Sequence, residues 1–222
     1  MIRLLPKCRG AILSGMSEAQ FTEADVAYIQ ASYVTLESLC EGRSESADEV
    51  RRLIAARRLP APSYVFEDGT GMFPAEYFDL VDQAGGVAGL GEHFAARHRA
   101  ASLAERADPD RLAADWQAYL EGTYGVCLRT VTPEAIVRKS VLVSSLCELL
   151  VLARPGSPEW RRALRAQVEE LDTLEREFAP DYDRGEEQER TPTRDLVIEA
   201  ARRQHPDVFA GAAAAGADAE AE

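Results

Sequence analysis

YVTLESLCEGRSESADEVRRLIAARRLPAPSYVFEDGTGMFP, residues 33–74, is the stretch whose punctuation decides the fold expected of this chain. Thr35 can cap a short helix through Leu36, Leu39 and Cys40, and Gly42 supplies the backbone freedom for a tight turn. Ser46 and Glu49 have the spacing of a capping box. They open a second helix with Val50, Leu53 and Ile54 on one face and Arg51, Arg52, Arg57 and Arg58 largely elsewhere. Leu59-Pro60-Ala61-Pro62 cannot continue that helix. Ser63 to Phe66 is strand-like, Glu67 to Gly71 is turn chemistry and Met72-Phe73 can return, so a β-hairpin is predicted. Upstream, Thr22 and Asp25 start a helix with Val26, Ile29 and Tyr33 at helical spacing. A helix, two short helices joined by a glycine turn, then a hairpin is the skeleton of a winged helix-turn-helix.

Downstream the periodicity is helical. Tyr77, Leu80 and Val81 form one apolar stripe, Gly85-Gly86 breaks the run, and Val87, Leu90 and Phe94 resume it. Asp108-Pro109, Thr132-Pro133 and Ser157-Pro158 are helix starts. The segment after Pro133 is apolar nearly all round, as in a central core helix. Trp160, Leu164, Val168, Leu171, Leu174 and Phe178 step by three or four until Pro180 ends the helix, and Leu196 to Arg203 is a final amphipathic helix after an acidic loop. The expected fold is mainly α: a flexible leader over 1–20, a winged helix-turn-helix with a short β-hairpin over 21–75, and a helical bundle over 76–205 packed on it without a linker. A disordered, alanine-rich acidic tail is expected over 206–222, its closing GAAAAGADAEAE lacking the large apolar groups that would order it. Met16 is an alternative start to Met1, and no functional residue is expected before it.

With 222 residues, 46% of them hydrophobic, the chain can bury a core in one large or two small domains. A net charge of −13 repels phosphate backbones and anionic lipid, so a nucleic-acid partner is disfavoured, although a local basic patch could defy the average. Cys8, Cys40, Cys127 and Cys147 lie far apart with no metal-site spacing, and His93 and His98, five apart, would face different ways on one helix. No metal and no cofactor is expected. No signal-peptide core and no membrane-spanning run is present, and a cytoplasmic location is expected. Phosphate-loop, dinucleotide, nucleophile-elbow and zincin motifs do not occur.

Residues 23–80 resemble the DNA-binding half of MerR-type regulators. In that family the second helix of the motif enters the major groove, which the resemblance implies for Arg51, Arg52, Arg57 and Arg58. Asp48 and Glu49 at the start of that helix, and Glu67-Asp68 at the wing tip, would instead repel phosphate, which points to a repurposed scaffold. Three stretches are also similar to an actinobacterial family of unknown function whose members are labelled natural product biosynthesis proteins: RLPAPSYVFEDGTGMFPAEYFDLVDQAGG, YLEGTYGVCLRTVTPEAIVRKSVLVSSLCELL and EWRRALRAQVEELDTLEREFAPDYDR. That similarity implies a setting in specialised metabolism and no reaction.

The candidate ligand site is Tyr124, Cys127, Arg129, Glu134 and Arg138. The first three fall in a loop where Gly122 and Gly125 would let backbone approach a ligand, and the last two on a helix whose N-terminus attracts an anion. Glu134 would act as an acid or base. Cys127 lacks an adjacent base for a nucleophilic role and also reads as a buried structural thiol. In the bland reading of this segment Arg138 and Lys139 snorkel outward. Asp181-Tyr182-Asp183-Arg184 reads as an ion-paired helix exit. The function expected is that of an accessory protein binding a small molecule or a partner protein; an enzyme of the cyclase or isomerase type and a DNA-binding regulator are the alternatives.

Overall fold

The computed structural model describes residues 21–102, 108–184 and 193–210. The leader, Cys8, the acidic loop beyond Arg184 and the tail beyond Ala210 lie outside the described residues. Helix α1 (Glu23–Ser32) opens on a full capping box: the Thr22 hydroxyl accepts from the Asp25 N–H while the Asp25 carboxylate accepts from the Thr22 N–H. Thr35 caps α2 (Leu36–Cys40) and Ser46 caps α3 (Ala47–Ala55), the latter by the serine alone. Helix α3 ends in two bonds, Arg57 N–H to the Ile54 carbonyl and Arg58 N–H to the Leu53 carbonyl, with Arg57 itself left-handed at φ 54°.

The hairpin is present as β2 (Tyr64–Val65) and β3 (Gly71–Phe73), antiparallel with Tyr64 opposite Met72. A third strand, β1 (Val34–Thr35), pairs with the other edge of β3, giving the order β1-β3-β2. Sequence pattern does not announce it, because two residues carry no period and the partner lies almost forty residues away.

The body continues with α4 (Asp79–Gln83), α5 (Leu90–Ala101), α6 (Pro109–Leu120), α7 (Thr123–Cys127), α8 (Pro133–Val151) and α9 (Pro158–Leu174). A π-helical turn (Arg194–Glu199) runs into α10 (Ala200–Gln204), followed by α11 (Pro206–Phe209). The protein is thus mainly helical with one small sheet. Four expectations need correction. The tail expected from residue 206 begins as helix α11, with Val208 buried. The glycine-flanked loop of the candidate site is the short helix α7. Helix α9 stops at Leu174 rather than near Phe178, because Glu175 turns extended and its neighbours pair with the chain after α7: Arg129 N–H donates to the Leu174 carbonyl and Arg176 N–H to the Cys127 carbonyl. Helix α8 is not buried all round; Ile136, Leu142 and Leu146 are buried while Val151 is 77% exposed.

One apolar cluster runs across the boundary expected at residue 75. Leu36, Val50, Leu59 and Phe73 pack in it with Leu90, Phe94, Leu120, Leu128 and Ile136. A second joins α8, α9 and the last helices through Leu146, Trp160, Leu164, Leu171 and Ile198. A third sets Ile29 and Tyr33 of α1 against Tyr64, Met72 and Ala179.

Candidate functional site

The five candidate ligand residues do not converge. Tyr124 and Cys127 are one turn apart on α7, and the Tyr124 hydroxyl donates to Asp115 Oδ1 at 2.7 Å. Burial, with the Asp115 carboxylate beside it, pushes the phenol well above its ordinary range, so Tyr124 is a neutral donor. Arg129 is exposed, and its carbonyl accepts from Arg176. Glu134 on α8 is held by the Arg97 fork of α5 at 2.8 and 2.7 Å. Burial alone would raise its pKa, but the guanidinium outweighs that and keeps it below the usual carboxylate range, which leaves no general acid near neutral pH. Arg138 forks onto Glu170 of α9 at 2.5 and 2.6 Å.

The two glycines beside them approach protein, not a ligand. Gly122 has φ +75°, and a Cβ there would lie 2.4 Å from the Ala61 carbonyl oxygen. A Cβ on Gly125 would lie 2.2 Å from Ser63 Oγ. Both let α7 close against the segment leading into β2. The void at this seam is about 30 Å3, a water-sized space.

Sequence reasoning missed two buried polar clusters. Asp115 accepts from Tyr124, from Arg111 Nε at 2.9 Å and meets His98 Nε2 at 2.9 Å, with both His98 and Asp115 buried. Lys139, which in the bland reading points outward, instead turns inward, its Nζ 2.9 Å from Oε1 of the fully buried Glu175. Burial raises the Glu175 pKa and opposes the Lys139 charge, but the neighbouring Cys127 sulfur and the Glu175 carboxylate outweigh that opposition and hold the ammonium above the ordinary lysine value. No group of three or more histidine, cysteine or carboxylate side chains able to hold a metal occurs among the described residues. None of the described helices is long and apolar enough to cross a membrane.

The larger concavity lies elsewhere, between α2, α3 and the hairpin. It measures about 480 Å3, within the range of small-molecule sites. Ile54, Ala55 and Pro62 supply its apolar surface over the buried Leu36 and Phe73, and Glu37, Arg51 and Asp68 its charged wall. Of the four arginines implied as DNA contacts, Arg51 and Arg57 are already ion-paired. Arg51 pairs with Glu37 and with Asp48 at 2.8 Å, the Arg52 Nε donates to the Asp48 carbonyl at 3.3 Å, and Arg57 lies 3.5 Å from Glu121. Arg58 closes the helix end through its backbone N–H alone, and its side chain is exposed. Asp68 accepts from the Thr70 N–H at 2.8 Å and meets no cation among the described residues. Glu37, Arg51 and Asp68 together therefore leave the groove wall negative. The signal was in the sequence as Glu67-Asp68 and Asp48-Glu49, but reading it as a groove required the hairpin to fold back beside α3.

Comparison with curated proteins and with solved structures gives no match. A family model does match, over residues 88–206, from just before α5 to the start of α11. That span holds both buried polar clusters and excludes α1 to β3 with their groove. Because it covers more than half of the 222 residues, the chain belongs to a family of unknown function, DUF6058.

Proposed function

We propose that the protein is a cytoplasmic, non-catalytic binding protein of specialised metabolism whose N-terminal part is a winged helix-turn-helix turned to ligand binding. The element order α1–β1–α2–α3–β2–β3 with strand order β1-β3-β2 supports the winged-helix reading, α3 standing where a recognition helix would be. The observation that carries the binding role is the groove, which offers apolar surface at Ile54 and Pro62 beside uncompensated acid at Asp68. Its ligand is an apolar group bearing a positive charge. A DNA duplex fits worse, because affinity for it rests on arginines free to neutralise phosphate, and Arg51 serves Glu37 and Asp48 instead. The resemblance to natural product biosynthesis proteins supplies the setting.

Phenylbutylamine and phenylbutyrate, which differ in the sign of one charge, test this. Amide NMR shifts at Ile54, Thr70 and Phe73 should titrate with the amine at a Kd on the order of 1 mM, as expected for a fragment of this size. The carboxylate should bind at least about fivefold more weakly, and Asp68→Asn should remove the preference. Equal binding of the two probes, or shifts confined to other regions, would overturn the assignment. Submicromolar binding to duplex DNA at physiological salt, lost on Arg51→Ala and Arg52→Ala, would replace it with the regulator.

A further inference from the structure

We infer that the groove takes a dication, two ammonium groups joined by a hydrocarbon chain, an inference that rests on the groove's binding role proposed above. The wall carries two separate acidic centres. One is Asp68 in the hairpin turn, whose Oδ1 accepts the Thr70 N–H at 2.8 Å. That bond holds the Asp68 carboxyl below the ordinary aspartate range, so the group is charged at neutral pH. The other is Glu37 on α2, with a side chain 61% exposed. Arg51 does not cancel it. The guanidinium is shared, one nitrogen on Glu37 Oε1 and another on Asp48 Oδ1 at 2.8 Å, so the three groups together keep a net negative charge. The second Glu37 oxygen, Oε2, has no hydrogen bond among the described residues.

Strand pairing separates the two centres. Thr35 of β1 faces Met72 and Val65 of β2 faces Gly71, so Glu37, just past Thr35, and Asp68, just past Val65, lie on the β1 and β2 sides of β3. At about 4.8 Å between neighbouring strands, two spacings set the acids on the order of 10 Å apart. One ammonium group therefore cannot serve both. A ligand with a single cation leaves one centre uncompensated, whereas a cation at each end satisfies both and lays the connecting chain against Ile54, Ala55 and Pro62. The class so described is the aliphatic diamines and polyamines.

The test titrates the full chain with diaminobutane, diaminohexane and diaminooctane, each with its amines at the two chain ends, and with butylamine, hexylamine and octylamine, following the amides of Ile54 and Thr70. Diaminohexane or diaminooctane should bind about fivefold more tightly than the monoamine of its own length, the gain expected of one added solvent-exposed ion pair. In Glu37→Gln the diamine should bind no better than the monoamine. Asp48→Asn, which leaves Arg51 to Glu37 alone, should shrink the gain. Asp110→Asn on α6, an equal change in net charge outside the groove, should preserve it. A gain that survives Glu37→Gln, or diamines that bind no better than monoamines at every length, would overturn the dication and leave the groove's role intact. Absence of binding by every amine would overturn the role and the inference with it.

Discussion

Asp25 accepts hydrogen bonds from the Thr22 N–H and hydroxyl at 2.9 and 3.0 Å, and from the N–H groups of Asp181 and Tyr182 at 2.9 and 3.1 Å. A residue that looks from sequence like an ordinary first-turn acid therefore also ties α1 to a segment more than 150 residues away. Burial opposes its charge, but the surrounding N–H donors outweigh burial and set its pKa below the ordinary aspartate value. Asp25→Ala would leave two N–H groups of residues 181–182 without a partner and should cost about 3 kcal/mol, measured by urea unfolding at neutral pH. Because the folded pKa is depressed, this contribution is complete above the unfolded value of about 4 and is lost as pH falls through the lower folded value. The difference between the two proteins should accordingly shrink below about pH 4; a penalty unchanged by acid would show that the carboxylate charge is not what holds the joint.

At the scale of elements, what was legible was local. Thr22, Thr35, Ser46, Thr132 and Ser157 cap the helices they were expected to start, since a cap and its first turn lie within four residues. The hairpin was legible for the same reason. Partners set by packing were not: Lys139 finds Glu175 across α8 and the end of α9, and nothing in the alternation of α8 says that Arg138 goes to solvent while its neighbour goes inward. The candidate ligand residues were chosen for chemistry and sequence proximity, yet Glu134 and Arg138 are drawn apart by Arg97 of α5 and Glu170 of α9. Lys139→Met leaves Glu175 charged and buried without its cation, which should destabilise by about 3–5 kcal/mol at pH 7, whereas Lys139→Met combined with Glu175→Leu should recover most of the loss. The raised Glu175 pKa gives the sign of the pH effect: a proton on the buried carboxyl is favoured by folding, so the Lys139→Met deficit should narrow as pH drops from 7 toward 5. Denaturation midpoints at the two pH values decide it, and a deficit that widens in acid would contradict the pairing.

Over the whole molecule, the part before residue 75 and the helical body share an apolar cluster and a set of polar ties. The Arg176 guanidinium donates to the carbonyls of Leu128, Ser32 and Arg129 and meets Glu76 at 2.7 Å, so one side chain joins both halves. Gly122 and Gly125 add the close backbone approach at the same seam. Thermal unfolding should therefore be one transition reported identically by sheet and helix signals, and Gly122→Ala, with its clash at the Ala61 carbonyl and its positive φ, should lower that single Tm by several degrees rather than split it. Two resolved transitions would mean that the seam does not couple them. The shared cluster also bears on how the family is to be handled at the bench. A chain cut at residue 88, where the family match begins, would retain Leu90, Phe94, Leu128 and Ile136 but lose Leu36, Val50, Phe73, Tyr77, Phe78, Leu80 and Val81 that cover them. The matched segment is therefore expected not to fold by itself. Expressed alone, it would present a sticky, half-dressed interior to water, and relatives that lack this N-terminal part must clothe the same helices with something else.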